Sequence, residues 1–486
     1  MGETLNAYKI FVQRLGLMGA TSILVALSTL MLIPVLTKSF GAVGYGIWIQ
    51  VGVTVALLTN IATVGLLPSM IRFLAAEKNK EMIQEGFYSI ISVTLLVISI
   101  ILIILLIFSK PIAVGLFDGN IAIANLMAFI IFFACFNSVF LNYYRTFQQI
   151  RKYSLFTLSQ TYLAVMFAVY LTLSGHDLFS VLIGLLITYL IFFFVMIYDI
   201  ITEIGFKIPN FKCLKQYLAF GVPTIPSNMS YWVVESSDRY VISILLGAAF
   251  VGYYAPSYTL GTVILLLAPF SLILPSVLPE YYDKQEMDKV RTFINYSLKY
   301  FLLLAIPSLF GLSLLSKPIL SILTTPTITL NGYLVTPFII LGTLIFGIYQ
   351  IINNILILEK KTKIIGTIWI IAAVLNLTLN IVMVPHFGIL AAAAVTLVSY
   401  LFAFAVTLHY SIKYFNFRFK FGFVLKSVVA SILMSSIIVL INPEGVLNIL
   451  IVVGLCAVVY VAAIIILKGI NNKEIEFFKE LLQRSS

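Results

Sequence analysis

An all-α polytopic membrane protein with about fourteen transmembrane helices is what this sequence predicts, from three observations. The 486 residues are 61% hydrophobic and 10% charged, whereas a soluble domain carries roughly a quarter charged residues. Apolar stretches of about twenty residues, each able to cross a hydrocarbon core of ~30 Å, recur from end to end. The apolarity within them is continuous rather than alternating. The backbone must therefore satisfy its polar groups inside helices, not across the strands of a barrel.

The spans are predicted at 15–36, 46–73, 87–108, 121–147, 153–173, 179–201 and 217–246 in the first part of the chain. They continue at 251–277, 293–315, 333–358, 364–384, 389–412, 423–441 and 446–467. The first apolar run has no small-residue cleavage site and leads straight into another span, so it reads as a helix and not a removable leader. Short loops leave no room for a folded soluble domain. Pro34, Pro223, Pro226, Pro269 and Pro275 are expected to bend spans one, seven and eight. Cys135 and Cys456 fall inside spans and Cys213 in a basic loop, an arrangement that argues against disulfides.

The isoelectric point near 9.3 comes from Lys and Arg scattered through short loops, as topology signals are and nucleic-acid patches are not. Of the 30 Lys and Arg, all but Lys38, Lys110, Lys317 and Arg239 fall on one side when both termini are placed there. Basic residues favour the cytoplasm, so both termini are expected to be cytoplasmic, in a multi-pass protein of the cell membrane.

The chain also repeats. Val43-Gly44-Tyr45 recurs as Val251-Gly252-Tyr253, Tyr88-Ser89 as Tyr296-Ser297, and Ser109-Lys110-Pro111-Ile112 as Ser316-Lys317-Pro318-Ile319. Tyr189-Leu190 matches Tyr400-Leu401, so four matches run in order at a nearly constant offset. The unit is six helices, which places the two halves in the same orientation, as in parallel transporter repeats. The expected organisation is a six-helix lobe at 1–201, a cytoplasmic interfacial linker at 202–216, a second six-helix lobe at 217–412, and two extra helices with a tail at 413–486. The Phe-Lys pairs at 206–207 and 211–212, and the run at 416–421, read as amphipathic anchors at the inner surface.

Polar residues inside spans locate candidate sites. Glu235, Asp238 and Arg239 lie within the seventh span, where each charge costs about 2.5–3.5 kcal/mol on insertion scales. At ~100° per residue they share one arc with Asn228 and Tyr231, and this stripe is expected to face a cavity. The competing reading is an internal Glu235–Arg239 pair that pins the helix to a neighbour; the cavity role is favoured because intramembrane charges so often mark pathways. Gln50, Thr54 and Asn60 in the second span, and Gln350, Asn353 and Asn354 in the tenth, are placed to meet sugar hydroxyls or to join helices, and both readings are open. His176 and His386 have no ligand-spaced partners, so no metal is expected. No phosphate loop or nucleophile elbow is present, and the outer loops carry only Asp118, Asp177 and Glu444 as acids. A transporter is predicted and not an enzyme; a membrane glycan polymerase or transferase is disfavoured by the short outer loops.

Three segments carry a family resemblance: Thr37-Lys-Ser-Phe-Gly-Ala-Val-Gly-Tyr-Gly-Ile-Trp48, Ser237-Asp-Arg-Tyr-Val-Ile-Ser-Ile-Leu-Leu-Gly247 and Val251-Gly-Tyr-Tyr-Ala-Pro-Ser-Tyr258. With the six-plus-six-plus-two layout, the chain resembles the polysaccharide transporter (O-antigen, Wzx-type flippase) branch of the multidrug/oligosaccharidyl-lipid/polysaccharide (MOP) exporter superfamily. That resemblance implies two lobes around a central cavity, alternating access and a polyprenyl-linked oligosaccharide as cargo. Flippases of the peptidoglycan lipid precursor share the layout but gather arginines in their first helices, which spans one and two lack at mid-membrane. Cation-coupled multidrug exporters are the alternative. On the flippase reading, Arg239 meets the pyrophosphate or an acidic sugar, with Asn228, Tyr231, Gln50, Asn60 and Asn353 as further substrate-binding candidates. Glu235 and Asp238 are the ion-coupling candidates, Glu235 as carrier of H+ or Na+ and Asp238 as the group holding Arg239. The expected partners are the lipid-linked glycan, the bilayer and other polysaccharide-assembly membrane proteins, with no nucleic acid and no bound cofactor.

The charge asymmetry yields a direct test. Cysteines at Gly119 and Asn331 are expected to react with impermeant thiol reagents from outside intact cells, and cysteines at Asn79 and Asn472 are not. Labelling at Asn79 reverses the orientation.

Overall fold

The computed structural model describes residues 2–267, 270–415 and 421–469, and among these every regular element is helical. The chain opens with α1 (Gly2–Ala62), which carries the first two predicted spans and turns between them at Gly41 (φ 64°, ψ −164°). This corner lies in a region of backbone space that only glycine occupies without strain. After a left-handed break at Val64 and Gly65, α2 (Leu66–Leu74) completes span two. There follow α3 (Lys80–Ile107), the short α4 (Ser109–Leu116), α5 (Ile121–Thr146), α6 (Ile150–Leu173) and α7 (Leu178–Ile204). Asn79, Asn120 and Asp177 cap α3, α5 and α7 by accepting from backbone N–H groups of the first turn. The hydroxyl and N–H of Ser180, bonded to Asp177, hold that carboxyl below the usual range.

Span seven is α8 (Leu214–Gly221), a 3-10 turn at Val222–Thr224 and α9 (Ile225–Leu246). The tightened turn falls at Pro223 and Pro226, where a donor is missing and the ring presses on the preceding turn. Span eight is interrupted too: α10 (Ala248–Thr262), a 3-10 stretch and α11 (Phe270–Asp283) replace one continuous helix. Pro269, the run 416–420 and position 472 lie outside the described residues. The remainder is α12 (Met287–Leu323), α13 (Pro326–Gly332), α14 (Val335–Leu358), α15 (Thr362–Tyr414), α16 (Phe421–Ile441) and α17 (Val446–Ile466). α15 repeats the device of α1, turning at Gly388 (φ 64°, ψ −151°).

Ten described helices are long and apolar enough to cross a membrane. α1 and α15 each hold two spans, and the interrupted segments at 214–246 and 248–283 supply two more, which accounts for the fourteen expected. Large apolar side chains such as Ile107, Leu173 and Ile466 are exposed, as a lipid-facing surface requires.

The chain forms two compact units. One comprises Met1–Ala255 with Trp369–Ala392, the other Pro256–Ile368 with Ala393–Ser486. In the first, α5 is the buried centre, where Phe87, Phe136, Phe140, Tyr143 and Phe193 form a chain of ring contacts. In the second, α14 is the buried centre, packed on α12.

Two polar fastenings at the basic end of the first unit position its helices. Lys152 bonds Asp199 at 2.8 Å and Glu203 at 3.4 Å, and the Tyr144 hydroxyl donates to Asp199, so α5, α6 and α7 are tied together. Burial works against the Lys152 charge, but the two carboxylates outweigh it and raise its pKa. The linker after α7, expected as an amphipathic stretch at the inner surface, is non-helical over 205–211. Buried Glu85 of α3 accepts the backbone N–H of Asn210 at 3.0 and 2.9 Å and that of Lys212 at 3.1 Å. A carboxylate that satisfies the strap's backbone donors removes the need for helix there.

The two glycine corners give a stability test. Gly41→Ala and Gly388→Ala are each expected to cost about 1–3 kcal/mol by forcing a Cβ into that backbone region. Gly454→Ala, in the middle of α17 with nothing within 4 Å of a new Cβ, is the neutral control. Thermal midpoints in detergent check this; equal midpoints for all three variants contradict it.

Candidate functional site

The site is built on α9, whose polar residues interrupt an otherwise membrane-crossing sequence. Asp238 is fully buried and Arg239 is 8% exposed. Asp238 Oδ1 accepts the Arg239 backbone N–H at 2.8 Å and its guanidinium Nη1 at 3.0 Å. Asp238 Oδ2 accepts the hydroxyl of Tyr254, from α10, and the same ring lies 5.8 Å beneath the Arg239 guanidinium carbon. Nη1 also donates to the backbone oxygen of Glu235, one turn earlier on a half-buried residue. Both oxygens of the Asp238 carboxylate are therefore engaged, and Tyr254 touches both members of the pair. The arginine is held in place by three neighbours inside a low-dielectric interior, where such contacts are strongest.

The other residues of the predicted stripe separate. Tyr231 packs edge-on against Trp369 of α15, ring centres 5.1 Å apart. Asn228 is exposed and joins Asn60, Thr63, Gly65 and Pro68 around a small pocket of ≈ 40 Å³. So two residues predicted from different spans, Asn60 and Asn228, meet in one place. Further along the same two helices, the Tyr240 hydroxyl donates to Thr54 Oγ1 at 2.7 Å. Gln50, one turn from Thr54, is fully buried with both amide atoms unpaired. Asn353 belongs to the second unit, on α14, with its Oδ1 buried and unpaired.

Several residues of this surrounding escape a sequence reading. Ser237 donates to Asn376 Oδ1 at 3.3 Å, and Asn380 donates to the same oxygen at 3.0 Å, so α9 is bonded to one buried amide of α15 that a second buried amide of that helix also engages. Their spacing of four within an apolar span is the signal that marks one helix face. Tyr254 sits in the Val251-Gly-Tyr-Tyr run, but nothing in that run says its hydroxyl reaches Asp238.

Long apolar helices interrupted by glycine and proline, with a buried ion pair on α9, define a multi-pass helical membrane protein. Similarity to known proteins places it more closely. Residues 35–327, more than half of the chain, match the family described as Polysaccharide biosynthesis protein, and the chain belongs to that family. A curated protein of Haloferax volcanii, the probable low-salt glycan biosynthesis flippase Agl15, is 25% identical over 235 residues. That match covers 48% of this chain and 49% of the relative, so the chain spans about half the length of the relative it matches. Among solved structures, the lipid II flippase MurJ in an inward closed conformation superposes with a TM-score of 0.74 at 19% identity, covering 95% of this chain and 99% of that one. A multidrug resistance MATE transporter of the MOP superfamily, in an inward-facing conformation, gives 0.61 at 15% identity over 80% of this chain and 94% of its own. The fold is thus that of the MOP transporters.

The geometry predicts an order of stability effects. Asp238→Asn removes the carboxylate bonded to Arg239, leaving Glu235 as the acid beside it, and is expected to cost about 3–5 kcal/mol. Tyr254→Phe removes one hydroxyl from an otherwise intact pair and costs about 1–3 kcal/mol. Thermal unfolding in detergent ranks the two; a Tyr254→Phe effect equal to or larger than that of Asp238→Asn contradicts the assigned geometry.

Proposed function

We propose that this protein is a flippase that moves a polyprenyl-(pyro)phosphate-linked oligosaccharide from the cytoplasmic to the outer leaflet by alternating access. The observation that carries this reading is Arg239, a cation held inside a membrane span by Asp238 and Tyr254, in a chain of the polysaccharide biosynthesis family. A lipid-linked glycan has an anionic, polar headgroup that cannot cross hydrocarbon alone and a tail that need not leave it. A guanidinium suits the headgroup because it stays charged when desolvated and binds phosphate through two parallel hydrogen bonds. Gln50, Asn60, Asn228, Tyr231 and Asn353 supply the sugar contacts on this reading.

Ion coupling follows from charge. With Glu235 and Asp238 both ionised beside one arginine, the cluster is net negative and repels a pyrophosphate. A proton or Na+ taken up at Glu235 neutralises that excess, whereas Asp238, bonded through both oxygens, stays as the anchor of Arg239. Binding of the coupling ion and of the anionic headgroup would then favour one another. The two six-helix halves, 1–201 and 217–412, are the bodies proposed to rock, with the termini in the cytoplasm and other glycan-assembly membrane proteins as partners.

Loss of the protein is expected to strand completed lipid-linked glycan on the cytoplasmic face, with assembly upstream unaltered. A truncated glycan of lower mass indicates an enzyme, and unchanged glycan export with new sensitivity to cationic drugs indicates multidrug export. In complemented cells, Arg239→Ala is expected to lower glycan export about 10- to 100-fold, the worth of a lost charged hydrogen bond, with Arg239→Lys between it and the wild type. Wild-type export by membrane-inserted Arg239→Ala sinks the assignment.

A further inference from the structure

Span two touches span seven and the start of span eight along a seam whose two ends lack room for any side chain. At one end, a Cβ on Gly46 would overlap the carbonyl of Ala248, and a Cβ on Gly252 would overlap that of Ala42. At the other, Gly65 and Gly221 stand in the same relation, each facing the carbonyl of its partner. The Ser69 hydroxyl donates to the Tyr217 carbonyl at 2.7 Å beside this second crossing, and Phe73 stacks on Tyr217 at 5.2 Å. Gly46 and Gly65 are separated by about 28 Å of helix. All of these residues belong to one compact unit.

Between the two crossings the seam is polar and aromatic. Its groups are Gln50, the Thr54–Tyr240 hydroxyl contact, Trp232 and the Asn60–Asn228 pocket. The Trp232 and Tyr240 rings lie 5.8 Å apart. Three of its hydrogen-bonding atoms are buried and unpaired: Oε1 and Nε2 of Gln50 and Nε1 of Trp232. An apolar interior exacts a penalty for each such atom, and a Leu or Phe at either position would avoid it. Tight packing of the two helices does not need these polar groups.

From this juxtaposition we infer that the seam is a collapsed glycan groove. Trp232 and Tyr240 are the aromatic platform for an uncharged sugar ring, and the Gln50 carboxamide is its hydrogen-bonding wall. Aromatic faces beside carboxamides are the chemistry that recognises a pyranose: the ring's C–H face packs on the aromatic surface, and its hydroxyl or N-acyl groups bond the amide in both directions. The groove is separate in chemistry from Arg239, which takes the anionic part of the same molecule. It opens when the glycine crossings part, and the sugar then satisfies the atoms that the closed seam leaves unpaired. The inference rests on the flippase reading and adds to it the residues that read the neutral sugar.

The test uses full-length protein in proteoliposomes and a fluorescent polyprenyl-pyrophosphoryl disaccharide whose transfer between leaflets is followed by a membrane-impermeant quencher. The variants are Gln50→Leu and Trp232→Phe, which remove unpaired polar atoms while keeping bulk and, for Trp232, an aromatic ring. Each is expected to slow transfer about tenfold, the worth of one hydrogen bond to the sugar. Each is also expected to leave the thermal midpoint of the purified protein unchanged or higher. A wild-type transfer rate in both variants overturns the groove, and so does a slower rate accompanied by a lower thermal midpoint, which marks the two side chains as structural. An inert wild type removes the flippase reading and the groove with it; an active wild type with equally active variants removes the groove alone.

Discussion

The candidate site of this molecule is organised by one buried carboxylate. Asp238 receives the Arg239 backbone and guanidinium on one oxygen and the Tyr254 hydroxyl on the other. Without it, an arginine inside a membrane span would have to leave for the interface or carry an uncompensated charge in hydrocarbon. With it, a cation is kept in the interior with its geometry fixed by a neighbouring helix. The pair is costly to bury and is not retained for stability alone, because apolar residues of similar volume often do as well or better in such positions. A cation at this depth makes sense as a receptor for an anion.

The helices are arranged by devices that break regularity at chosen points. Glycine corners at Gly41 and Gly388 join spans without a loop, and the left-handed Val64–Gly65 break divides span two. Prolines tighten the start of span seven, and span eight divides at a 3-10 stretch. Interrupted helices are tolerated at membrane depth only where protein or a polar cavity satisfies the freed backbone. At the basic end, Glu85 fixes the strap leading into span seven.

Span number was legible in the sequence because lipid makes the hydropathy pattern obey length: Gly16–Ala62 and Thr362–Tyr414 each read as two crossings despite forming one bent helix. Glu235, Asp238 and Arg239 stood out as candidates for the same reason, since charge inside such a run is rare. The sequence offered both, Glu235 by its four-residue spacing and Asp238 as the group holding Arg239; in the structure Asp238 Oδ1 pairs with the guanidinium while its other oxygen accepts from Tyr254 of α10. The expected single stripe also came apart, since helical phase gives direction but not the neighbour that fills it: Trp369 meets Tyr231, and Asn60 meets Asn228. Tyr254, Asn376 and Asn380 act through contacts between distant segments, and no local pattern encodes those.

The central claim is that Arg239, so held, is the receptor for the anionic part of a lipid-linked substrate. Its most direct test is the affinity of purified protein for a short-chain polyprenyl pyrophosphate, measured for the wild type and for Arg239→Gln beside the corresponding polyprenol. The account predicts that Arg239→Gln weakens pyrophosphate binding by roughly tenfold or more, with polyprenol binding the same in both proteins. Equal pyrophosphate affinity in the wild type and Arg239→Gln would contradict it.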